Sequence, residues 1–178
     1  MNAHRQAAVL AGIAVLAVGL AGCSADPSKG YSFGSLYPTN IKTVAVPMWE
    51  IGQDVYRREL QTRLSEALVK RIEMDTPYKV TTAGRADTEL RGKIDIVSQR
   101  VLSYSPATGL PREKEVTLQL SFTWKDLRTG QIIVEEPKLI VADAYITQPP
   151  LASDFFGGSE KVINEAARRI VEHLEAPW

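Results

Sequence analysis

EVTLQLSFTWK, residues 115–125, is the stretch that decides the fold. Val116, Leu118, Leu120, Phe122 and Trp124 alternate with Glu115, Thr117, Gln119, Thr123 and Lys125. A period of two puts each set on its own face, as in a strand with one buried and one wet side. Residues 89–96 repeat the pattern, with Leu90, Gly92, Ile94 and Ile96 set between Glu89, Arg91, Lys93 and Asp95. Both apolar sets fall on even numbers. Antiparallel partners that share a face must then have numbers with an even sum, because a one-residue slip turns every side chain over. A register summing to 216 sets Ile94 against Phe122 and Gly92 against Trp124, so that the indole covers the bare glycine. The connection between the two strands, roughly Ser103 to Pro111, holds Pro106, Gly109 and Pro111 and reads as a loop.

Upstream, IKTVAVPM, Ile41 to Met48, is a β-branched run without a polar face, which suggests a strand inside a sheet that ends at Pro47. Asp54 suits the N-cap of a following helix whose apolar positions are Leu60, Leu64, Ala67, Leu68 and Ile72. That helix stops near Thr76, because Pro77 disfavours a helical residue before it. Downstream, the turn Asp126–Gly130 leads into a strand from Gln131 to about Ile146, and Pro137 marks it as an edge strand or a bulged one. Val162, Ile163, Ala166, Ala167, Ile170, Val171 and Leu174 line one side of a last helix, from about Ser159 to Leu174. The expected fold is α+β: a two-layer sandwich with an about four-stranded mixed sheet and two helices packed on one face.

No catalytic set is visible. His173 is the only histidine after residue 22, and its place in the last turn of the last helix suits the negative end of the helix dipole. Metal binding needs more ligands of the Cys/His type than this chain offers. The carboxylates sit at ordinary strand and helix positions, and neither a phosphate loop nor a serine elbow appears. The expectation is a protein that is not an enzyme, needs no cofactor and works by binding or assembly. With Arg5 removed, 20 basic face 21 acidic residues, which excludes the basic character of a nucleic-acid binder.

The single cysteine explains the amino terminus. Ala7 to Leu20 is 14 residues without a charge, long enough for a signal-peptide core and too short for a membrane span of about 20. Leu20-Ala21-Gly22-Cys23 resembles the lipobox of bacterial lipoproteins, in which the thiol is lipidated and the chain is cut before it. Stable anchoring takes more than one acyl chain, at about 0.8 kcal/mol per buried methylene, and a lipobox cysteine supplies three. The expected organisation is a signal peptide over 1–22, a lipidated tether over 23–38 and one domain over 39–178. Ser24 rather than Asp follows Cys23, which by the enterobacterial sorting pattern implies the outer membrane, on its periplasmic side.

Three stretches of the mature chain resemble the LptE family of lipopolysaccharide-assembly lipoproteins. They are Cys23 followed by Gly30-Tyr31; Ile41 to Glu50 leading into Ser65 to Ile72; and Arg85 to Ile94 with the later Asp126 to Ile133. Where many members carry an Asn-Arg-Thr-like triplet after the first strand, this chain has Ile51-Gly52-Gln53. The resemblance implies a plug and assembly factor of an LptD-type β-barrel that delivers lipopolysaccharide to the cell surface. The other reading is a lipid-anchored periplasmic binding module serving a cell-wall synthase or a secretion apparatus.

The alternation suggests where contacts lie. Ser98, Arg100 and Lys114 occupy even, core-side numbers. Polar residues there imply that the helices leave that end uncovered. A protruding, polar hairpin tip over about Gln99 to Lys114 follows, with Arg100, Arg112 and Lys114 available to lipid phosphates or a partner. On the exposed sheet face Arg91, Lys93, Glu115 and Lys125 are mixed in sign and suit cross-strand pairs. Cys23→Ser is expected to abolish acylation and move the protein from the membrane to the soluble fraction, read by mass spectrometry of the native protein and by fractionation.

Overall fold

The structure is a computed structural model, and it describes residues 36–175 except Asp54 and Leu151. The expected signal peptide, Cys23 and nearly all of the tether therefore lie outside the described residues, as does the expected N-cap, Asp54. The described chain runs β1 (Thr43–Ala45), β2 (Glu50–Ile51), α1 (Glu59–Asp75), β3 (Lys79–Thr81), a 3-10 turn (Ala83–Arg85), β4 (Thr88–Tyr104), β5 (Pro111–Asp126), β6 (Ile132–Ile146) and α2 (Phe155–Glu172). The expected architecture of two helices on a mixed sheet is present, and the strand count is corrected from about four to six. The two additions, β2 and β3, are two and three residues long, too short to show a period.

The sheet order is β3-β1-β4-β5-β6, with β2 pairing β4 beside β1. β1 runs parallel to β3 and β4, while β4, β5 and β6 form an antiparallel meander. The run Ile41–Met48 yields only the three-residue strand β1, because the chain leaves the sheet before Pro47 and rejoins it as β2. Asp87 fastens this corner. Its carboxylate accepts from the N–H groups of Lys42 (3.0 Å) and Thr43 (3.1 Å) and from the Thr43 hydroxyl (3.0 Å). In return the Asp87 N–H donates to Thr43 Oγ1 at 2.9 Å. The Lys42 N–H first, with the Thr43 donors, holds the Asp87 carboxyl below its ordinary value.

The parity rule holds in the lower half of the hairpin. Leu90 lies opposite Trp124, Gly92 opposite Phe122 and Ile94 opposite Leu120, so the register sums to 214 rather than 216. The even face of β5 is buried from Val116 to Trp124 and carries both helices. A tryptophan does cover Gly92, but it is Trp49, which arrives from the loop after β1; a Cβ on Gly92 would strike its six-membered ring. Trp49 is 2 % exposed and its main-chain N–H donates to Ser65 Oγ on α1 at 3.0 Å, so one residue joins sheet and helix.

A β-bulge then reverses the parity of β4. The register steps between Ile94 and Ile96, leaving Asp95 as an extra residue. Ile96, expected in the core, is 50 % exposed, and Val97 takes the inner position opposite Leu118. Gly52 nests on the bulge: its N–H donates to the Ile94 carbonyl at 2.8 Å, and a Cβ there would stand 2.6 Å from the Asp95 oxygen. That close approach accounts for glycine at this position.

α1 and α2 lie side by side with their amino ends together. Arg63 donates to Ser159 Oγ (2.8 Å) and pairs with Glu160 (2.9 Å), while at the other ends burial first, and then the charges of Glu175, Asp75 and Glu172, raise the Tyr37 hydroxyl above its ordinary value. The expected start of α2 at Ser159 moves to Phe155, because Asp154 caps it by accepting the Gly157 N–H at 2.9 Å. Pro137 acts in both ways anticipated: β6 is the sheet edge, and its pairing slips between Leu139 and Glu136.

Two outcomes follow from this packing. Gly92→Val overfills the Trp49 contact and should cost about 1–3 kcal/mol, seen as a lower urea midpoint at unchanged slope; Gly84→Ala, with open space around its Cβ, is the neutral control. The lowered Asp87 carboxyl stabilises the fold above the ordinary carboxylate range, and this contribution is lost as pH falls through its lowered value. Asp87→Asn should flatten that acid limb of the stability profile in urea melts.

Candidate functional site

The three cations Arg100, Arg112 and Lys114 lie at the β4–β5 end of the sheet, but the structure separates them by face. Beyond the bulge, Arg100 sits opposite Glu115 on the open face, and its Nε donates to Glu115 Oε1 at 2.7 Å. The expectation that Ser98 and Arg100 take core-side positions is thus overturned by the parity change at Asp95. Lys114 lies between Val101 and Tyr145, on the face that carries the helices. Arg112 has the same parity and is exposed, and its carbonyl accepts from the Thr147 N–H at 2.9 Å.

Electrostatics separates them as well. The Arg100 guanidinium holds the Glu115 carboxyl below its ordinary value, and hydrogen bonding to Glu115 raises Arg100 in turn. An anionic headgroup would have to displace Glu115 before it met Arg100. Among the described residues Arg112 and Lys114 have no ion-pair partner, so they are the more available cations.

The end is uncovered for a different reason from the one anticipated. α2 begins at Phe155, and a Cβ on its Gly158 would stand 2.5 Å from the Tyr145 ring, which shares a rung with Lys114. The helix layer reaches this rung from below. Past it the hairpin continues through a turn closed by Ser105 N–H to Leu110 carbonyl (2.8 Å) and Gly109 N–H to Ser105 carbonyl (2.8 Å), with Gly109 at φ 69°. The tip is not simply polar. Leu102 is 41 % exposed, Tyr104 62 % and Leu110 60 %, so apolar groups accompany the cations. The charged residues drew attention in the sequence, while VLSY and GLP, which supply this surface, carried no period of their own.

Elsewhere the surface is chemically quiet. A groove of about 380 Å³ on the open face is lined by Glu50, Arg91, Lys93, Ser121, Thr123 and Glu135. Its cations are already matched, Arg91 to Glu89 at 2.6 Å and Lys93 to Asp95 at 3.9 Å. These pairs run along one strand; the cross-strand pair on this face is Arg100–Glu115. His173 follows α2 directly and packs edge-on against Phe122 with ring centres 5.5 Å apart. Among the described residues no three His, Cys, Asp or Glu side chains gather as metal ligands, and no helix is long and apolar enough to cross a membrane.

The chain is similar in fold to two solved bacterial structures. One is uncharacterized lipoprotein B from Nitrosomonas europaea, at 14 % identity and TM-score 0.53, covering 76 % of this chain and 83 % of that one. The other is a Xanthomonas campestris protein, at 11 % identity and TM-score 0.54, covering 74 % and 81 %. At such identities the likeness concerns the fold alone. No curated protein matches the sequence. The lipopolysaccharide-assembly family model, LptE, matches residues 41–176, from the start of the β1 segment through the end of α2. The chain therefore belongs to the LptE family.

Proposed function

We propose that this protein is an outer-membrane lipoprotein, anchored on the periplasmic side through acyl chains on Cys23, that plugs and helps assemble an LptD-type β-barrel for lipopolysaccharide transport to the cell surface. The family match over residues 41–176 is the observation that carries this reading. The protein acts by contact rather than catalysis. Residues 1–22 are the leader removed during export, residues 23–38 the tether and residues 39–178 the working domain.

The layout of the domain supports the assignment. The described chain enters at Leu36 and Tyr37; the Tyr37 ring packs 5.6 Å from Tyr78, which in turn lies 6.1 Å from Trp124. Trp124 is near the β5 end that pairs with the first residues of β4, so the chain enters at the end of the sheet opposite the hairpin turn. The tip with Leu102, Tyr104 and Leu110 thus projects away from the tethered end. Its mixture of apolar side chains with Arg112 and Lys114 suits amphiphilic lipid and the wall of a barrel lumen.

Two triple variants test the tip. Leu102→Ser, Tyr104→Ser and Leu110→Ser together should leave the urea midpoint of the domain unchanged and lower the yield of assembled barrel and the retention of lipopolysaccharide at least several-fold. Arg100→Ser, Arg112→Ser and Lys114→Ser together should weaken lipopolysaccharide retention and spare the fold. Unchanged assembly and lipopolysaccharide binding in both variants would discard the tip as the contact surface.

A further inference from the structure

We propose that the free edge of β4 between Ile96 and Val101 receives an extended strand of the barrel partner, which continues the sheet by main-chain hydrogen bonds. The inference rests on the barrel-plug reading and specifies how the two polypeptides join.

β5 pairs β4 along one side for nearly its whole length. On the other side β1 covers Thr88 and Glu89, and β2 covers Lys93 and Ile94. Above Ile94 no described strand lies on that side. From Ile96 opposite Gln119 to Val101 opposite Lys114 the register runs six rungs without a break, between one irregularity at Asp95 and another at Leu102. Alternate N–H and C=O groups of such a strand point away from β5, and an extended segment satisfies them at the normal ladder spacing.

The opposite edge of the same sheet is closed to pairing. In β6 Pro137 has no N–H to give. Glu136 Oε1 accepts from the Lys138 N–H at 3.1 Å, and Asp143 Oδ1 accepts from the Ala144 N–H at 2.7 Å. Arg169 donates to the Ile140 carbonyl at 3.3 Å, and the Ser153 N–H donates to the Ile146 carbonyl at 2.7 Å. Natural sheets blunt exposed edges with such devices because a bare edge recruits strands. Among the described residues, the main chain of Ile96–Val101 is engaged by no side chain in this way. One edge of the meander is shielded; on the other, among the described residues, nothing hydrogen-bonds to the outward main chain of Ile96–Val101, and Val55–Arg57 only flank a crevice beside it.

A side-chain pocket adjoins the open edge. A crevice of about 150 Å³ is lined by Val97, Ser98 and Gln99 together with Val55, Tyr56 and Phe155. Three consecutive β4 residues line it, and since neighbours in a strand point to opposite faces, the crevice follows the strand edge rather than either face. Phe155 is held by the Arg57 guanidinium 3.7 Å above its ring. Tyr56 is 94 % exposed, an aromatic ring standing at the rim. In strand addition the main chain supplies the pairing and such pockets take alternate side chains of the incoming segment. The volume is enough for one side chain of the incoming strand, between the apolar Val55, Val97 and Phe155 and the polar Ser98, Gln99 and Arg57.

The test uses the full-length lipoprotein, alone and co-expressed with its LptD-type barrel, with hydrogen exchange resolved to single amides. In the complex the outward amides of Ile96–Val101 should exchange at least tenfold more slowly, while those of Ile140–Ile146 keep their rates. Tyr56→Ser should weaken the complex about tenfold and leave the thermal midpoint of the free protein in place. A complex that forms with the Ile96–Val101 amides exchanging at the free rate overturns strand addition and leaves the plug reading standing. Failure of the two proteins to associate at all overturns the plug reading, and this inference with it.

Discussion

The structure depends on burying one side of the β4–β5 ladder under two helices. Val116, Leu118, Leu120, Phe122 and Trp124 form an unbroken apolar row on β5. Removing that row from water is favourable by roughly 1.5–3 kcal/mol per large side chain, which outweighs any single hydrogen bond in the domain. The helices are placed by this row. The inward faces of α1 and α2 belong to the same cluster of buried residues, and Trp49 bridges α1 to the sheet at Gly92, where only a hydrogen leaves room for the indole.

The same constraint explains what is left uncovered. The helix layer ends near the Lys114–Tyr145 rung, so the hairpin beyond it has nothing to pack against. The bulge at Asp95, seated on Gly52, turns Ile96, Ser98 and Arg100 to the open face, while the helix layer continues over Val97, Leu118 and Val116 up to the Lys114–Tyr145 rung. The extra residue also marks the point beyond which, among the described residues, no strand pairs the outer side of β4. An assembly factor needs both parts: a core that holds its shape, and a surface whose hydrogen-bonding and apolar groups remain for another molecule.

Much of this was legible from the chain alone. The period of two in residues 115–125 is strong because each residue reports on a face, and its parity holds against β4 up to Ile94, with the register differing by two; above that the bulge, which no local period records, reverses it. The apolar stripes that defined the two helices are equally local signals. β2 and β3 were not legible, since strands of two and three residues exist only because β4 and β1 offer them partners. Of the candidate contact residues, Arg100, Arg112 and Lys114 lie at one end of the sheet; Lys114 keeps its core-side parity, and Arg100 does not, because the bulge turns it to the open face. The apolar half of that end, Leu102, Tyr104 and Leu110, carried no pattern that distinguishes exposed from buried.

What the sequence by itself determined is what adjacent residues determine together: alternation, helical stripes, the turns at Gly109 and Gly130, and the lipobox-like run ending at Cys23. Only the tertiary structure decided that Trp49 rather than Trp124 covers Gly92, that Asp95 is the extra residue, and that, among the described residues, no strand pairs β4 above Ile94 while β6 is closed. Each of those outcomes is a contest between groups far apart in the chain for the same space or the same main-chain hydrogen bond. The winner is set by packing in three dimensions, and no local period records it.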